Sequence, residues 1–344
     1  MFFERAYPSA NMVLVRGERP VLVDPGYGAD LPATEKLLRG ARTPPENLAL
    51  IVNSHYHRDH AGANSGLQRR YGVPVAAHRW EAELVNRRDR EACGAEWLDQ
   101  PVEPYEVNRV LSENDEIDAG GVTLRVLHTP GHTLGHVSLW APEEGVLILG
   151  DAVHGDDVSW INPFREGVGG IVRALETLDR LSELPVRRAY SGHGPVIEDL
   201  AEALSAAQRR YERWLDEPER AYWHACKRIL AYALMIYGGM PEGKLRAYLL
   251  RCPWFDDYAR HGFGVEPENS CNRSLPRCSA PKLPPGATPA SSPSVATTSR
   301  RRAGVRDPSD RRTGPRPEDL GKLRLDGDDA ALKRHSRPEA SGGR

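Results

Sequence analysis

The densest group of side chains able to bind a metal ion follows the apolar run Leu48–Asn53, which has the composition of a buried strand. The next residues form the pattern H-x-H-x-D-H. While the chain stays extended, His55 and His57 project to the same side, and beyond the strand end Asp59 and His60 can present a second, adjacent pair of ligands. Imidazole nitrogens and carboxylate oxygens suit zinc and similar divalent ions. This spacing predicts a metal site at the end of the strand.

Three more potential ligands each follow another apolar run. His132 comes after residues 122–127, Asp151 after residues 146–149 and His193 after residues 186–190. Side chains just beyond strand ends are where an α/β sheet places its functional sites. Glycines beside these residues allow the backbone to turn tightly there. Four separate strand-end positions therefore indicate one shared metal site rather than unrelated core histidines.

The elements that must position these ligands alternate along the first 200 residues. Amphipathic stretches, such as Ile171–Leu184 with its apolar residues three and four apart, predict helices. Strands mixed with helices on this rhythm indicate an α/β layered domain. Residues 199–265 carry only helical patterns, and Asp199 is a plausible N-cap. The predicted strands are Val13–Val15, Val21–Asp24, Leu48–Asn53, Val73–Ala77, Val122–Leu127, Val137–Trp140, Val146–Leu149 and Val186–Tyr190.

With these motifs, residues 10–200 resemble the metallo-β-lactamase-fold superfamily. The resemblance rests on Asp24 in the sequence Val-Asp-Pro-Gly, the H-x-H-x-D-H segment, and the three later ligands. It implies a four-layer αβ/βα sandwich with two metal ions at one edge and a C-terminal helical segment. By position, the first metal would be held by His55, His57 and His132, the second by Asp59, His60 and His193, with Asp151 bridging the two. Asp24 would order the loop behind the ligands, and His128 and His136, which flank a ligand, are expected to make structural hydrogen bonds.

The chemistry expected of such a site is metal-assisted hydrolysis. Two divalent cations stabilise hydroxide at neutral pH and clamp the oxygens that gain charge in the transition state. Zinc is the expected metal, with manganese or iron as alternatives because the ligand types suit all three. A water between the metals would be the nucleophile, and Asp59 would accept or steer its proton.

The bond that is cut is less well defined by the sequence. The motifs resemble those of the glyoxalase II group, but residues 152–157 lack the cysteine- and lysine-containing segment that grips glutathione there. The favoured substrate is a small acyl compound, a thioester, lactone or ester. The alternatives are a phosphodiesterase or RNA-cleaving enzyme and, less favoured, a non-catalytic metal-binding module. The residues expected to face the substrate are His154, Trp160, Phe164 and Arg165.

Composition limits the partners. The 46 Lys and Arg against 48 Asp and Glu leave a formal charge of −2, which argues against nucleic-acid or membrane binding through bulk charge. Charges alternate in sign on the predicted C-terminal helices, as on a solvated face, so nucleic acid is not favoured as a partner. The five cysteines form no C-x-x-C pair, and no stretch resembles a signal peptide or a membrane span. A cytoplasmic protein is expected, and its oligomeric state is left open.

The composition changes abruptly at Glu266. Every Phe, Trp and Tyr lies before it, while residues 266–344 are rich in Pro, Arg and Ser and contain no Ile. A segment with so little apolar surface cannot offset the entropy of ordering its chain. The predicted organisation is a catalytic domain over residues 1–198, a helical segment over 199–265 and a disordered tail over 266–344.

Overall fold

The computed structural model of the protein describes residues 1–165 and 169–274. Two β-sheets form its centre. The first has six strands in the order β1 to β6; β1, β2 and β3 pair antiparallel, and β3 to β6 pair parallel. Its strands are β1 Phe2–Phe3, β2 Met12–Val15, β3 Val21–Val23, β4 Leu50–Val52, β5 Val75–His78 and β6 Arg109–Leu111.

The second sheet has five strands in the order β11, β10, β9, β8, β7. Strands β10 and β11 are parallel, and the other pairs are antiparallel. Its strands are β7 Glu116–Asp118, β8 Thr123–His128, β9 Val137–Ala141, β10 Val146–Gly150 and β11 Arg188–Ser191.

Alternation along the strands of the first sheet divides their side chains between two cores. Leu22 and Ile51 point to the helices outside the sheet, whereas Val23 and Val52 point inward, because successive residues of a strand face opposite sides. The inward residues pack against Val126 and other side chains of the second sheet. Both faces of the sheet are therefore buried, as the continuous apolar runs of its strands require.

Helices cover the outer face of each sheet. The first sheet is covered by α1 to α4, and the second by α6 and α7, whose apolar faces carry Leu178, Leu204 and Tyr211. The expected four-layer αβ/βα sandwich is thereby confirmed. The α-helices up to residue 216 are α1 Leu31–Gly40, α2 Arg58–Ala61, α3 Asn64–Tyr71, α4 Arg79–Asn86, α5 Ala95–Leu98, α6 Gly169–Ser182 and α7 Leu200–Asp216.

The remaining helices form the predicted C-terminal helical region, with a core of their own. Asp199 caps α7, its side chain accepting a hydrogen bond from the Glu202 N–H at 3.0 Å, as predicted. That helix packs in the outer layer of the second sheet, so the separate helical core begins with α8, where Ile229 packs against Trp97 of α5. The four C-terminal helices are α8 Pro218–Ile236, α9 Glu242–Arg251, α10 Pro253–Asp257 and α11 Pro267–Ser274.

The predicted start of the disordered tail at residue 266 is wrong by about one helix. Residues 267–274 form α11, which begins with a proline, a residue tolerated in the first helical turn. Its Cys271 is fully buried in the C-terminal helical core. Composition missed this helix because it contributes few apolar side chains. The rest of the predicted tail, residues 275–344, lies outside the described residues.

Within the described residues, no helix combines the length with the apolar composition that crossing a bilayer requires.

Candidate metal centre

The predicted ligands meet at one edge of the sandwich because two pairs of parallel strands end there. Strands β3 and β4 deliver Asp24 and the H-x-H-x-D-H segment, and β10 and β11 deliver Asp151 and His193. The loop between β8 and β9 adds His132. The Asn11 amide group links the two sheets by donating to the carbonyls of Ser191 and Gly194 at 3.0 and 2.7 Å.

The first ligand group consists of His55, His57 and His132. Their ligand atoms lie within 4.8 Å of one another, and His57 Nδ1 is 2.9 Å from His132 Nε2. The His132 Nδ1–H donates to the Trp160 carbonyl at 2.6 Å, which leaves Nε2 as the nitrogen with a free lone pair. Three imidazole nitrogens converging in this way form a typical zinc-binding arrangement.

The second group consists of Asp59, His60 and His193, whose ligand atoms also lie within 4.8 Å of one another. Asp59 Oδ2 is 3.1 Å from His193 Nε2 and 3.8 Å from His60 Nε2. Behind this group, Asp24 accepts hydrogen bonds from His60 Nδ1 at 2.9 Å and from the Ser54 N–H at 2.8 Å. Asp24 thus directs His60 Nε2 toward the other ligands.

Asp151 lies between the two groups. Its carboxylate oxygens are 3.3 Å from His60 Nε2 and 3.8 Å from both His132 Nε2 and His193 Nε2. Gly192 permits this approach, because a Cβ built there would lie 2.2 Å from Asp151 Oδ1. The position of Asp151 is the one expected of a bridging carboxylate.

Three buried polar atoms of the cluster test whether a cation fits. His55 Nε2, His60 Nε2 and Asp151 Oδ1 are buried and have no hydrogen-bond partner among the described residues. Such atoms are costly in a folded protein unless something satisfies them. Their shared position, with only imidazole and carboxylate donors around them, fits divalent metal ions.

The electrostatics of the cluster keep two of its histidines neutral and favour a positive charge at its centre. Burial first, and then the neighbouring histidines, lower the pKa values of His55 and His57 well below the usual range, so both rings are neutral. Burial also opposes charge on His60, but the carboxylates of Asp151, Asp24 and Asp59 outweigh it and raise the pKa of His60 well above its usual value. A cluster that draws a proton to its centre in this way also draws a metal cation, and the two compete.

His128 and His136 lie behind the ligands. His136 Nε2 accepts a hydrogen bond from the Asp151 N–H at 2.9 Å, and His136 Nδ1 lies 2.8 Å from the Thr129 hydroxyl. His128 Nε2 donates to the Leu134 carbonyl at 2.8 Å. Both rings thus hold the loops that carry ligands.

A cavity opens above the cluster, and several of its walls come from parts of the chain without a sequence motif. Tyr7 stacks on His193 with ring centroids 4.5 Å apart, and Arg228, Tyr232 and Met235 of α8 also line the cavity. For the three residues of α8, the amphipathic pattern predicts only that they lie on a helix. It does not predict which part of the fold that helix covers. Tyr7 had no signal at all.

The four residues expected to face the substrate divide into two pairs. His154 and Trp160 line the cavity, and Trp160 stacks on His57 with centroids 5.4 Å apart. Phe164 and Arg165 are not among the described lining residues. The chain turns away after Trp160, so that Phe164 packs against Tyr258 and Arg165 donates to the Glu91 carbonyl at 2.8 Å.

The comparison with known proteins agrees with this geometry. The sequence profile of the metallo-beta-lactamase superfamily matches residues 7–193, more than half of the chain. Acyl-coenzyme A thioesterase MBLAC2 of Gallus gallus is 31% identical over 217 residues, which cover 55% of this chain and 75% of the relative. Hydroxyacylglutathione hydrolase of Hyphomonas neptunium is 26% identical over 209 residues, covering 56% and 70%.

Not every relative is covered to this extent. The chain spans 58% of beta-lactamase-like protein 2 homolog of Caenorhabditis elegans, at 26% identity. Among solved structures, a metallo-beta-lactamase family protein of Thermus thermophilus superposes with a TM-score of 0.57 at 26% identity, covering 67% of this chain and 88% of that one. Ligand geometry, sequence profile and fold agree, and the chain belongs to the metallo-beta-lactamase superfamily.

Proposed function

We propose that the protein is a metal-dependent hydrolase that cleaves a small acyl substrate, with a thioester as the preferred class. The observation that supports this most is the convergence of seven side chains, including three buried ligand atoms that make no hydrogen bond within the described residues, below a cavity. Two divalent cations, zinc in the first place with manganese or iron as alternatives, would be held by the two ligand groups and bridged by Asp151. Bound there, they would supply Lewis acidity and a reactive water at neutral pH.

Asp59 is the carboxylate best placed to move a proton. It lines the cavity and its side chain is 15% exposed, whereas that of Asp24 is 3% exposed behind His60. Burial opposes its charge, but His60 and His193 lower the pKa of Asp59, so its carboxylate is ionised and can accept the proton of an attacking water. In thioester hydrolysis the water oxygen bonds to the acyl carbon, the carbon–sulfur bond breaks, and the thiol leaves with a proton.

The lining favours an acyl group over a phosphodiester. Leu98, Val158, Ile229 and Met235 form apolar walls, and Arg228 is the only Lys or Arg among the described lining residues. A phosphodiester would need several cationic donors for its non-bridging oxygens. Two aromatic residues of α7, Tyr211 and Trp214, are buried in the core and offer no surface for stacking bases. Two similar proteins are named as thioester hydrolases, which supports the same class.

The test compares three substrates on one metal-replete preparation: an acyl thioester, a lactone and an activated phosphodiester. We expect the highest kcat/KM for the thioester, and a loss of about 100-fold or more in Asp59→Asn. Asp118→Asn is the matched control, because Asp118 is exposed on β7, in the other sheet from the strand that leads to Asp59. Undiminished hydrolysis in Asp59→Asn would overturn the role of Asp59, and a preference for the phosphodiester would overturn the substrate class.

A further inference from the structure

The face of α8 that roofs the cavity carries one fixed positive charge. Arg228, Ile229, Tyr232 and Met235 all line the cavity, at spacings that place them on one side of a helix. Arg228 lines the same cavity as Tyr7, His154 and Asp59. Arg228 therefore reaches the space where a substrate must enter.

Arg228 is positioned by an ion pair that engages only part of its guanidinium group. Its guanidinium pairs with Asp157 Oδ2, while Arg210 of α7 pairs with Asp157 Oδ1. Two guanidinium groups thus share one carboxylate, which leaves one positive charge in excess and several N–H donors available. The Arg228 side chain is 41% exposed, and Asp157 is its only ion-pair partner among the described residues. Asp157 thus positions Arg228 while part of its guanidinium group stays accessible from the cavity.

Resting on the proposed function, we propose that Arg228 binds an anionic group of the substrate, a carboxylate or a phosphate, while the reacting acyl carbon lies over the metal ligands. The arginine fork matches the oxygens of both groups. The ligand class is therefore an acyl thioester with an anionic group in either the acyl part or the thiol part.

The shape of the roof supports a substrate with one charged and one apolar end. Met235 follows Arg228 by seven residues, a rise of about 10 Å along the helix. Met235 and Tyr7 are exposed large apolar side chains that also line the cavity. One face of α8 thus offers a cation near one end and an apolar surface near the other. A short uncharged ester would make no contact that uses the positive charge of Arg228.

The experiment uses two pairs of thioesters that differ only in charge. Butyryl-phosphopantetheine against butyryl-pantetheine places the charge in the thiol part. Glutaryl-pantetheine against its terminal amide, glutaramoyl-pantetheine, places the charge in the acyl part. With the full-length, metal-loaded protein we expect one pair to show a kcat/KM ratio of about tenfold or more in favour of the anion, falling as salt is added. The pair that shows it identifies which part of the substrate carries the anion.

Arg228→Gln should reduce this ratio to about one, and Arg228→Lys should keep part of it. Asp157 stays paired with Arg210 in both variants, so neither leaves a buried charge without a partner. Lys227→Gln removes the same charge one residue earlier on α8, at a position that does not line this cavity, and should keep the ratio of the parent protein. A ratio of one in the parent protein for both pairs, or a ratio that persists in Arg228→Gln, would overturn the proposal.

A binding measurement separates this proposal from the proposed function. If no thioester is hydrolysed, calorimetry with the product-like thiols phosphopantetheine and pantetheine, and with glutarate and its monoamide, still reports on the anion site. Tighter binding of one anionic member that is lost in Arg228→Gln would support the site while the thioesterase function fails. Equal binding of the charged and neutral members would overturn the site.

Discussion

At the scale of single residues, Asp24 explains how a candidate histidine ligand is held in one orientation. Its carboxylate accepts hydrogen bonds from the Ser54 hydroxyl at 2.6 Å and from His60 Nδ1 at 2.9 Å. With Nδ1 held by Asp24, His60 Nε2 is directed at Asp59 and Asp151, where a proton and a metal ion compete for it. Asp24 has a φ of 53°, a left-handed conformation that Asp and Asn tolerate better than most residues.

Asp24→Asn should weaken metal binding by about 10–100-fold with little change of fold. Asparagine keeps the shape of the side chain and tolerates the backbone conformation. Its NH₂ group, however, cannot accept the hydrogen bonds that one Asp24 oxygen accepts from the Ser54 hydroxyl and from His60 Nδ1. Zinc affinity, measured by competition with a chromogenic chelator, checks this, and Asp118→Asn again provides the control. Unchanged affinity and stoichiometry in Asp24→Asn would mean that His60 is held by other contacts.

His154 shows why a residue beside the ligands need not take part in proton transfer. Its Nδ1 is 2.7 Å from the Ser191 hydroxyl and its Nε2 is 2.9 Å from the Ser159 hydroxyl, so both ring nitrogens are engaged. Burial lowers the pKa of His154 to about 3. The ring is therefore neutral near pH 7, and it links the segment before Trp160 to the loop that carries His193.

His154→Gln should consequently leave the pH profile of kcat/KM unchanged in shape, although metal affinity falls as the link to Ser191 is weakened. Activity between pH 5 and 9 and metal occupancy after dialysis are the two measurements. If the alkaline limb of the profile disappeared in the variant, His154 would be a proton donor to the substrate instead.

Sequence reasoning identified the candidate ligands that lie in local motifs, which the structure brings together, but it missed residues brought in from far along the chain. His55, His132 and Asp151 were predictable because each follows a strand end, where the sheet fixes its position. Phe164 was predicted to line the cavity because it follows Trp160 closely, but the turn after Trp160 directs it to the C-terminal helices. Tyr7 reaches the site through tertiary packing, which no local pattern encodes.

At the scale of elements, α8 also shows that a local sequence pattern predicts an element but not its tertiary position. Its amphipathic pattern predicted a helix, and the structure has one over residues 218–236. The pattern did not reveal that one face would roof the cavity, because that depends on how the helix packs against Trp97 and Leu98 of α5. Short strands were also missed: β1, β6 and β7 have two or three residues each and little apolar periodicity.

The attachment of α8 to the domain predicts an acid-sensitive stability. His224 donates from Nε2 to the Val158 carbonyl at 3.1 Å, and its ring contacts Trp214 of α7. Burial lowers the pKa of His224 from 6.5 to about 4. Between these values the unfolded chain binds a proton that the folded protein does not, so His224 makes the folded state progressively less stable as pH falls from 6.5 to 4.

Replacing His224 with Gln should therefore flatten the decline of Tm between pH 7 and pH 4.5, even if Tm at pH 7 is slightly lower. Thermal unfolding of metal-free protein across this range measures the effect without interference from metal release. His261→Gln, at a position whose ring faces Phe164 and not the Val158 carbonyl, should keep the slope of the parent protein. Parallel Tm curves for the parent and His224→Gln would contradict the assignment.

At the scale of the whole molecule, the C-terminal helices are joined to the αβ/βα sandwich by both polar and apolar contacts. The Trp97 indole N–H donates to Asp257 at 2.7 Å, and Arg251 pairs with Asp99 at 3.0 Å. Trp97 also belongs to the apolar core formed by α8, α9 and α10. The roof of the cavity is consequently part of the stable fold, and its integrity depends on how well these helices are packed.

That dependence extends to α11, and two truncations test it. A chain ending at Ser274 retains this helix, whereas a chain ending at Val265 exposes the surface that Cys271 covers near Tyr248 and Trp254. Because residues 275–344 contain no aromatic residue or Ile, their removal is expected to leave Tm within about 2 °C. Losing α11 should lower Tm by roughly 2–4 °C for each kcal/mol of packing lost, and should raise KM as α8 loosens. Equal Tm values for the two truncations would show that α11 contributes no stability, and a large fall in the longer one would show that residues 275–344 do.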